Sequence, residues 1–139
     1  MYKIIIAGSR DFLNYQLLKT ECDKFIKECH SKMNESLHHI GIISGNARGA
    51  DKLGERYAKE HNYKCYIMPA DWNKYGMRAG YLRNADMAKQ GHALIAFWDG
   101  KSKGTNNMIQ EAKKTNLNIK VILYEDMLWT LQQFQNIMI

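Results

Sequence analysis

Residues 40–51 read Ile-Gly-Ile-Ile-Ser-Gly-Asn-Ala-Arg-Gly-Ala-Asp. Ile40 to Ser44 is a short run rich in β-branched residues and reads as a strand. Gly45 to Gly49 form a turn, and Ala50, Leu53, Tyr57 and Ala58 then repeat at helical spacing. A strand that runs through a glycine turn into a helix is the opening of a βαβ unit. The pattern recurs on both sides. Upstream, Tyr2 to Ala7 reads as a buried strand. Leu18, Cys22, Phe25, Ile26, Cys29 and Met33 then place a helix over roughly Asn14 to Asn34. Downstream, Tyr63 to Met68 is a strand ended by Pro69, and a loop leads to a helix through Leu82, Ala85 and Ala88. His92 to Trp98 is a fourth strand, followed by a helix through Thr105, Met108, Ile109 and Ala112. Ile119 to Tyr124 is a fifth strand, and Met127, Leu128, Leu131 and Phe134 mark a closing helix.

This alternation predicts an α/β fold. It is a Rossmann-like three-layer sandwich, in which a mostly parallel sheet of about five strands carries helices on both faces. Right-handed crossovers build such a sheet, and its ligands bind beyond the carboxyl ends of the strands, near the point where strand order reverses. The strand-to-helix turns are therefore the segments that carry chemistry.

Composition narrows the class. The 139 residues carry 20 Lys and Arg against 14 Asp and Glu, a formal net charge of +6. The length fits one domain over residues 1–139 with one core. A chain that is 45% hydrophobic and 24% charged is not a disordered one. The longest apolar runs, Ile4 to Ala7 and Ala93 to Trp98, fall far short of the roughly 18 residues of a membrane span. Six mostly apolar residues, Tyr2 to Ala7, are followed directly by Gly8-Ser9-Arg10-Asp11, which is no signal peptide. Cys22, Cys29 and Cys65 form no CxxC, and Cys22 and Cys29 sit on one helical stripe as buried free thiols. The chain reads as reduced and cytoplasmic, with no metal site and no cofactor. His30, His38, His39, His61 and His92 show no ligand spacing and join no Ser–His–Asp or Cys–His arrangement. The positive charge calls for an anionic partner.

The first turn, Gly8-Ser9-Arg10-Asp11-Phe12, offers a hydroxyl and a guanidinium at the sheet edge. The second, Ser44 to Asp51, opens a helix, where free N–H groups and the helix dipole attract an anion. It lacks the Gly-Lys-Ser/Thr of a Walker A loop and the spacing of GxGxxG. Asp51 stands where a helix-capping residue would also stand. The third turn, Pro69 to Gly80, is long, and long loops in compact domains tend to be functional. Trp72 and Tyr75 could stack on a base, with Lys74 and Arg78 beside a phosphate. Arg83 and Met87 follow four apart on one helix face. The fourth turn, Trp98 to Thr105, holds Asp99, Gly100, Ser102, Gly104 and Thr105 with two lysines, a second candidate phosphate cradle. The fifth, Tyr124-Glu125-Asp126, reads as a charged helix start.

The strings GSRDF, SGNARGADKLGERYA, PADWNKYGMRAGYLRNADM and IAFWDGKSKGTNNMI occur in this order from Met1 to about Val121. Together they resemble the SLOG (Smf/DprA–LOG) superfamily, closest to its stand-alone YspA-like branch. The resemblance implies a Rossmann-like fold and a nucleotide or nucleotide-derived ligand. The superfamily also contains the Lonely-guy phosphoribohydrolases, which cleave the base from nucleoside 5′-monophosphates. They use the arginine of R-K-x-x-M and the glutamate of G-G-x-G-T-x-x-E. Arg83-Asn84-Ala85-Asp86-Met87 resembles the first motif with Asn84 in place of lysine. Gly100 to Met108 resembles the second, with Met108 in place of the glutamate. Glycosidic cleavage needs a carboxylate to activate water and steady positive charge on the sugar, and a thioether does neither.

The leading expectation is a nucleotide-binding domain that senses, sequesters or carries its ligand. Phosphate would lie on the N–H groups of Gly45 to Gly49 and Gly104-Thr105. Gly8, Ser9, Ser44, Asn84, Asp99, Gly100 and Ser102 would line the site, Arg10, Arg48 and Arg83 would supply charge, and Trp72 a stacking face. The alternative is a phosphoribohydrolase in which Asp99 or Asp51 replaces the glutamate and Arg83 clamps phosphate or sugar. Nucleic-acid binding fits less well, because no helix-turn-helix or basic arm is present. Exposed aromatics in the third turn could also serve an interface between copies of the chain. Trp72 to Lys103 carry six Lys and Arg against Asp86 and Asp99, so the charge excess reads as local to the turns.

Overall fold

Ile4, Ile5, Ile6 and Ala7 are all buried, so their strand has helices on both faces and strands on both edges. In the computed structural model, which describes residues 1–33 and 39–124, this strand, β1 (Tyr2–Gly8), is the centre of the sheet. The chain continues through α1 (Tyr15–Met33), β2 (Ile40–Ser44), α2 (Ala50–Glu60) and β3 (Lys64–Ile67). Then come α3 (Trp72–Tyr75), a 3-10 turn (Gly76–Arg78), α4 (Ala79–Gln90), β4 (Ala93–Trp98), α5 (Lys103–Lys114) and β5 (Asn118–Leu123). The strand order is β3-β2-β1-β4-β5 and every pairing is parallel. The expected Rossmann-like α/β sheet is present, wholly rather than mostly parallel.

Period-two alternation sorts β1 between two cores. Ile4 and Ile6 join Leu18, Cys22, Phe25, Ile42, Tyr57, Ala58 and Ile95 under α1 and α2. Ile5 and Ala7 join Ile43, Met87, Ala88, Leu94, Ala96, Met108, Ile109 and Ala112 under α4 and α5. The first two crossovers run from β1 outward to β3. The third jumps back over β1 to β4, and the fourth continues to β5. Strand order therefore reverses between β1 and β4, the switch point at which doubly wound sheets leave a crevice.

The helix ends follow from local chemistry. Asn14 Oδ1 accepts from the Leu17 N–H at 3.0 Å, and Ser102 caps α5 by accepting from Thr105 at 3.4 Å. Asn62 and Asn116, both at φ 57°, take the left-handed positions that follow α2 and α5. Cys22 and Cys29 are buried free thiols, as the helical stripe predicted, and Cys65 is half-buried and free. No helix among the described residues is long and apolar enough to cross a membrane.

Two readings change. Leu82 faces outward with 41% of its surface exposed, because α4 packs through Ala79, Asn84, Met87 and Ala88. Position 82 lies about 200° around the helix from 84. The third loop is also not irregular throughout: Asp71 accepts from the Lys74 N–H at 3.1 Å and starts α3. The closing helix through Met127 and Phe134, the Glu125-Asp126 turn, His38 and the expected helix end at Asn34 lie outside the described residues.

Candidate functional site

Burying a polar side chain costs free energy unless its hydrogen bonds are remade. The buried polar side chains among the described residues are Ser9, Ser44, Asp51, Asn84 and Thr105. All five gather around the carboxyl edge of the sheet. Ser9 follows β1: its N–H donates to the Phe97 carbonyl at 2.9 Å and its carbonyl accepts from Phe12 and Ala50. Its hydroxyl accepts from the Asp99 N–H at 3.3 Å. Ser44 ends β2, donates to Glu55 Oε2 at 2.7 Å and accepts from the Asn46 N–H at 3.1 Å. Asn84 accepts from Arg83 Nε at 3.0 Å and donates to the Gly104 carbonyl at 3.3 Å and Asn107 Oδ1 at 3.0 Å. It ties α4 to the first turn of α5 and aims Arg83. Among the described residues no cluster of three or more His, Cys, Asp or Glu could hold a metal ion.

Above the switch point lies a cleft of about 390 Å³. The loop after β1 supplies Gly8 and Arg10, and the β2–α2 turn supplies Ala47 and Asp51. Trp72 and Met77 form a rim, α4 contributes Gly80, Tyr81, Arg83, Asn84 and Met87, and α5 contributes Ser102, Gly104, Thr105 and Met108. A second cleft of about 240 Å³ lies between Pro69, Tyr75, Leu82 and Asp86 and shares Arg83 with the first.

The charged groups of the main cleft are coupled. Arg83 Nη1 donates to the Gly45 carbonyl across 38 residues of sequence. A Cβ on Gly45 would lie 2.7 Å from Arg83 Nη1 and 2.8 Å from Asp51 Oδ2, so a side chain there would displace the ends of both. Burial pushes the Asp51 carboxyl up to about 6, against the pull of the Ala47 N–H and of Arg83 and Arg10. Burial likewise lowers Arg83, and the Asp51 carboxylate opposes that shift. Arg10 is exposed on the cleft wall and makes no ion pair among the described residues.

The structure brings Gly8, Arg10, Asp51, Trp72, Arg83, Asn84, Ser102, Gly104 and Thr105 to the cleft wall. Ser9, Ser44, Gly45 and Gly49 are buried beside it as its framework. Arg48 and Gly100 are exposed and do not line it. Asp99 turns away into its own loop, where Oδ1 accepts from the N–H groups of Lys101 and Ser102, both at 2.8 Å. Burial raises the Asp99 carboxyl, but those N–H groups outweigh it and hold the group below its ordinary value. Asp51 does not cap α2. Gly49 stands at the cap with φ 80°, where a Cβ would strike the Arg10 and Ser9 carbonyl oxygens.

Asp51 Oδ2 instead accepts from the Ala47 N–H at 3.1 Å. With Asn46 bonded to Ser44 and Thr105 to Ser102, the N–H groups of Asn46, Ala47 and Thr105 are already satisfied by side chains. The cationic side chains of the cleft wall are Arg10 and Arg83, the latter with Nε and Nη1 already engaged by Asn84 and Gly45. Of the six cations between Trp72 and Lys103 only Arg83 lines it, and Lys74 lies 5.1 Å from the Tyr75 ring centroid. The wall also contains Ala47, Met77 and Gly80, which the sequence placed in ligand turns without giving them a role, and Tyr81, which it passed over. Met87 and Met108, by contrast, stand where the two motif alignments placed them.

Residues 2–75 match the family model YAcAr, described as the YspA, cpYpsA-related SLOG family. The chain is also 31% identical over 125 residues to "Gene 61 protein" of Mycobacterium phage D29, an alignment covering 86% of this chain and 94% of that protein. No solved structure matches the chain.

Proposed function

The chain belongs to the YspA, cpYpsA-related SLOG family, and from that premise we propose that it binds a small nucleotide or nucleotide-derived ligand in the cleft between β1, α4 and α5. The observation that carries this reading is the convergence of Arg10, Arg83 and Asp51 on one cleft at the switch point. Two guanidinium groups in a partly buried wall favour a phosphate over a neutral ligand, and guanidinium forks match its oxygens. The start of α5 adds a positive helix end, with Gly104 leaving room for close approach. Trp72, 48% exposed at the rim, offers a face on which a base can stack. Met87 and Met108 give an apolar floor.

Calorimetric titration with nucleoside monophosphates, dinucleotides and ADP-ribose derivatives tests the proposal. Saturable heat with at least one of them is expected, weakened on the order of tenfold or more (about 1.4 kcal/mol) by Arg83→Ala. Absence of heat and of thermal shift across the panel overturns it.

One observation favours a second reading, in which a bound nucleoside monophosphate is cleaved. Asp51 is the carboxylate on the main cleft wall, and with a pKa of about 6 it can take up and release a proton near neutral pH. Free base released by the wild type but not by Asp51→Asn or Arg83→Ala would establish cleavage. Saturable binding without base release would leave the protein a binder.

A further inference from the structure

Asp51 carries one committed oxygen and one uncommitted oxygen. Oδ2 accepts from the Ala47 N–H at 3.1 Å, while Oδ1 accepts no hydrogen bond among the described residues. The residue is 5% exposed and lines the main cleft. A buried carboxylate oxygen open to a cleft is an acceptor waiting for a donor from a ligand. A phosphate suits that role poorly, since it is an anion and, once fully ionised above its second pKa of about 6, has no proton to donate. It belongs instead with Arg10 and Arg83, which both act electrostatically on Asp51 from the same wall. The group that meets Oδ1 must therefore be a hydrogen-bond donor joined to an anion by a short covalent link. In a nucleotide the unit next to the phosphate is the sugar, and its donors are hydroxyls. The base, further from the phosphate, has Trp72 and the exposed rim available to it.

We propose that Asp51 accepts a ribose hydroxyl, so that the cleft selects ribose-bearing over deoxyribose-bearing phosphates. The inference rests on the nucleotide-binding reading and names the sugar that reading leaves open. The physical basis is asymmetric. A hydroxyl given to a carboxylate makes a short, charge-assisted hydrogen bond. A ligand without the hydroxyl leaves the carboxylate oxygen sealed against apolar hydrogen, and sites built around a polar partner reject analogues that lack it.

The test is calorimetry with four ribonucleoside 5′-monophosphates, their 2′-deoxy and 2′,3′-dideoxy counterparts, ribose 5-phosphate and inorganic phosphate. Wild type and Asp51→Asn are compared. Asn keeps an oxygen for the Ala47 N–H but turns an amide, not an anion, to the cleft. In the wild type the preferred ribonucleotide should bind about 10- to 100-fold more tightly than its dideoxy counterpart (about 1.4–2.8 kcal/mol). In Asp51→Asn that ratio should fall to within about threefold (about 0.7 kcal/mol). Inorganic phosphate should bind the variant at least as well as the wild type, because a nearby negative charge is gone. A purely structural Asp51 would produce no such split. Equal binding of ribo- and dideoxynucleotides overturns the inference and leaves the nucleotide reading standing. A sugar preference that survives in Asp51→Asn also overturns it, by assigning the hydroxyl to another group. If no probe binds the wild type, both fail. Circular dichroism and an Asp51→Ala variant guard against a misfolded control: a folded Asp51→Ala protein should lose the preference as well.

Discussion

Replacing Asp51 with asparagine should stabilise the protein by about 3 kcal/mol at pH 8 and change little at pH 4 or below. In the unfolded chain the carboxyl titrates near its ordinary value of 3.8, whereas in the folded protein burial raises it to about 6. The folded state therefore holds the proton more tightly than the unfolded state does. Stability from this group is complete below about pH 4, declines as pH rises toward the folded value of about 6, and is lost above it. Each pKa unit corresponds to about 1.4 kcal/mol, so ionising Asp51 in the fold costs about 3 kcal/mol at pH 8. Asparagine is a fair copy of the neutral acid: it retains an oxygen for the Ala47 N–H and carries no charge. Urea unfolding followed by circular dichroism from pH 4 to pH 8 measures the difference. With a denaturant slope near 2 kcal/mol/M, the variant's midpoint should rise above that of the wild type by about 1.5 M at pH 8. The other titratable groups are common to both proteins and cancel in the comparison. A gap that stays constant from pH 4 to pH 8, or an asparagine variant less stable than wild type at pH 8, would refute the argument that burial dominates at this carboxyl.

Three further outcomes follow from the same framework. Gly49→Ala should lower stability by about 2–4 kcal/mol in thermal or urea unfolding, since φ 80° disfavours a side chain and the Cβ strikes two carbonyl oxygens; a loss below 1 kcal/mol would mean the turn relaxes freely. Asn84→Ala should cost about 1–3 kcal/mol by leaving the Gly104 carbonyl and Asn107 without their partner. It should also weaken phosphate-bearing ligands by loosening Arg83, and a variant with unchanged stability would show these bonds to be idle. A thiol reagent should modify half-buried Cys65 first, and Cys22 and Cys29 only on unfolding, because burial both shields those thiols and pushes them up. Mass spectrometry of partly labelled protein would expose a different order.

The fold was legible because the information is local. Ile4 to Ala7 could be read as doubly covered from four consecutive apolar residues, and α1, α2 and α5 announced themselves by their stripes, whereas Leu82 of α4 turned outward and α3 had no stripe to show. The partition of Ile5 and Ile6 between two cores also followed once β1 was central. The site was legible only in part. Gly8, Arg10, Arg83 and Thr105 lie where a strand-to-helix turn or a motif pointed. Asp51 was visible as a residue, but its task was not. The bond from Ala47 depends on a turn in which Asn46 and Gly49 both take positive φ. Arg83 meets the Gly45 carbonyl across 38 residues, a distance at which no sequence pattern acts. Met77 and Tyr81 reach the cleft from exposed positions with no periodicity to mark them. The cluster of cations from Lys74 to Lys103 misled for the same reason, since neighbours in sequence diverge around a helix and only Arg83 turns inward.

The central position of β1 also fixes an order of events during synthesis. Its partner β2 follows within 40 residues, but its other partner, β4, pairs Ala93 with Ile4 and Phe97 with Gly8. A nascent chain that has already formed β1, β2 and β3 still presents the Ile4–Gly8 backbone as an open parallel edge. That edge stays open until residues 93–97 leave the ribosome. Such unpaired, apolar edges pair readily with other chains, and the long separation slows closure. The pairing that seals the edge also draws α4 over the sheet, and α5 follows once residues 103–114 emerge, so the cleft is completed only after the exposed strand is covered.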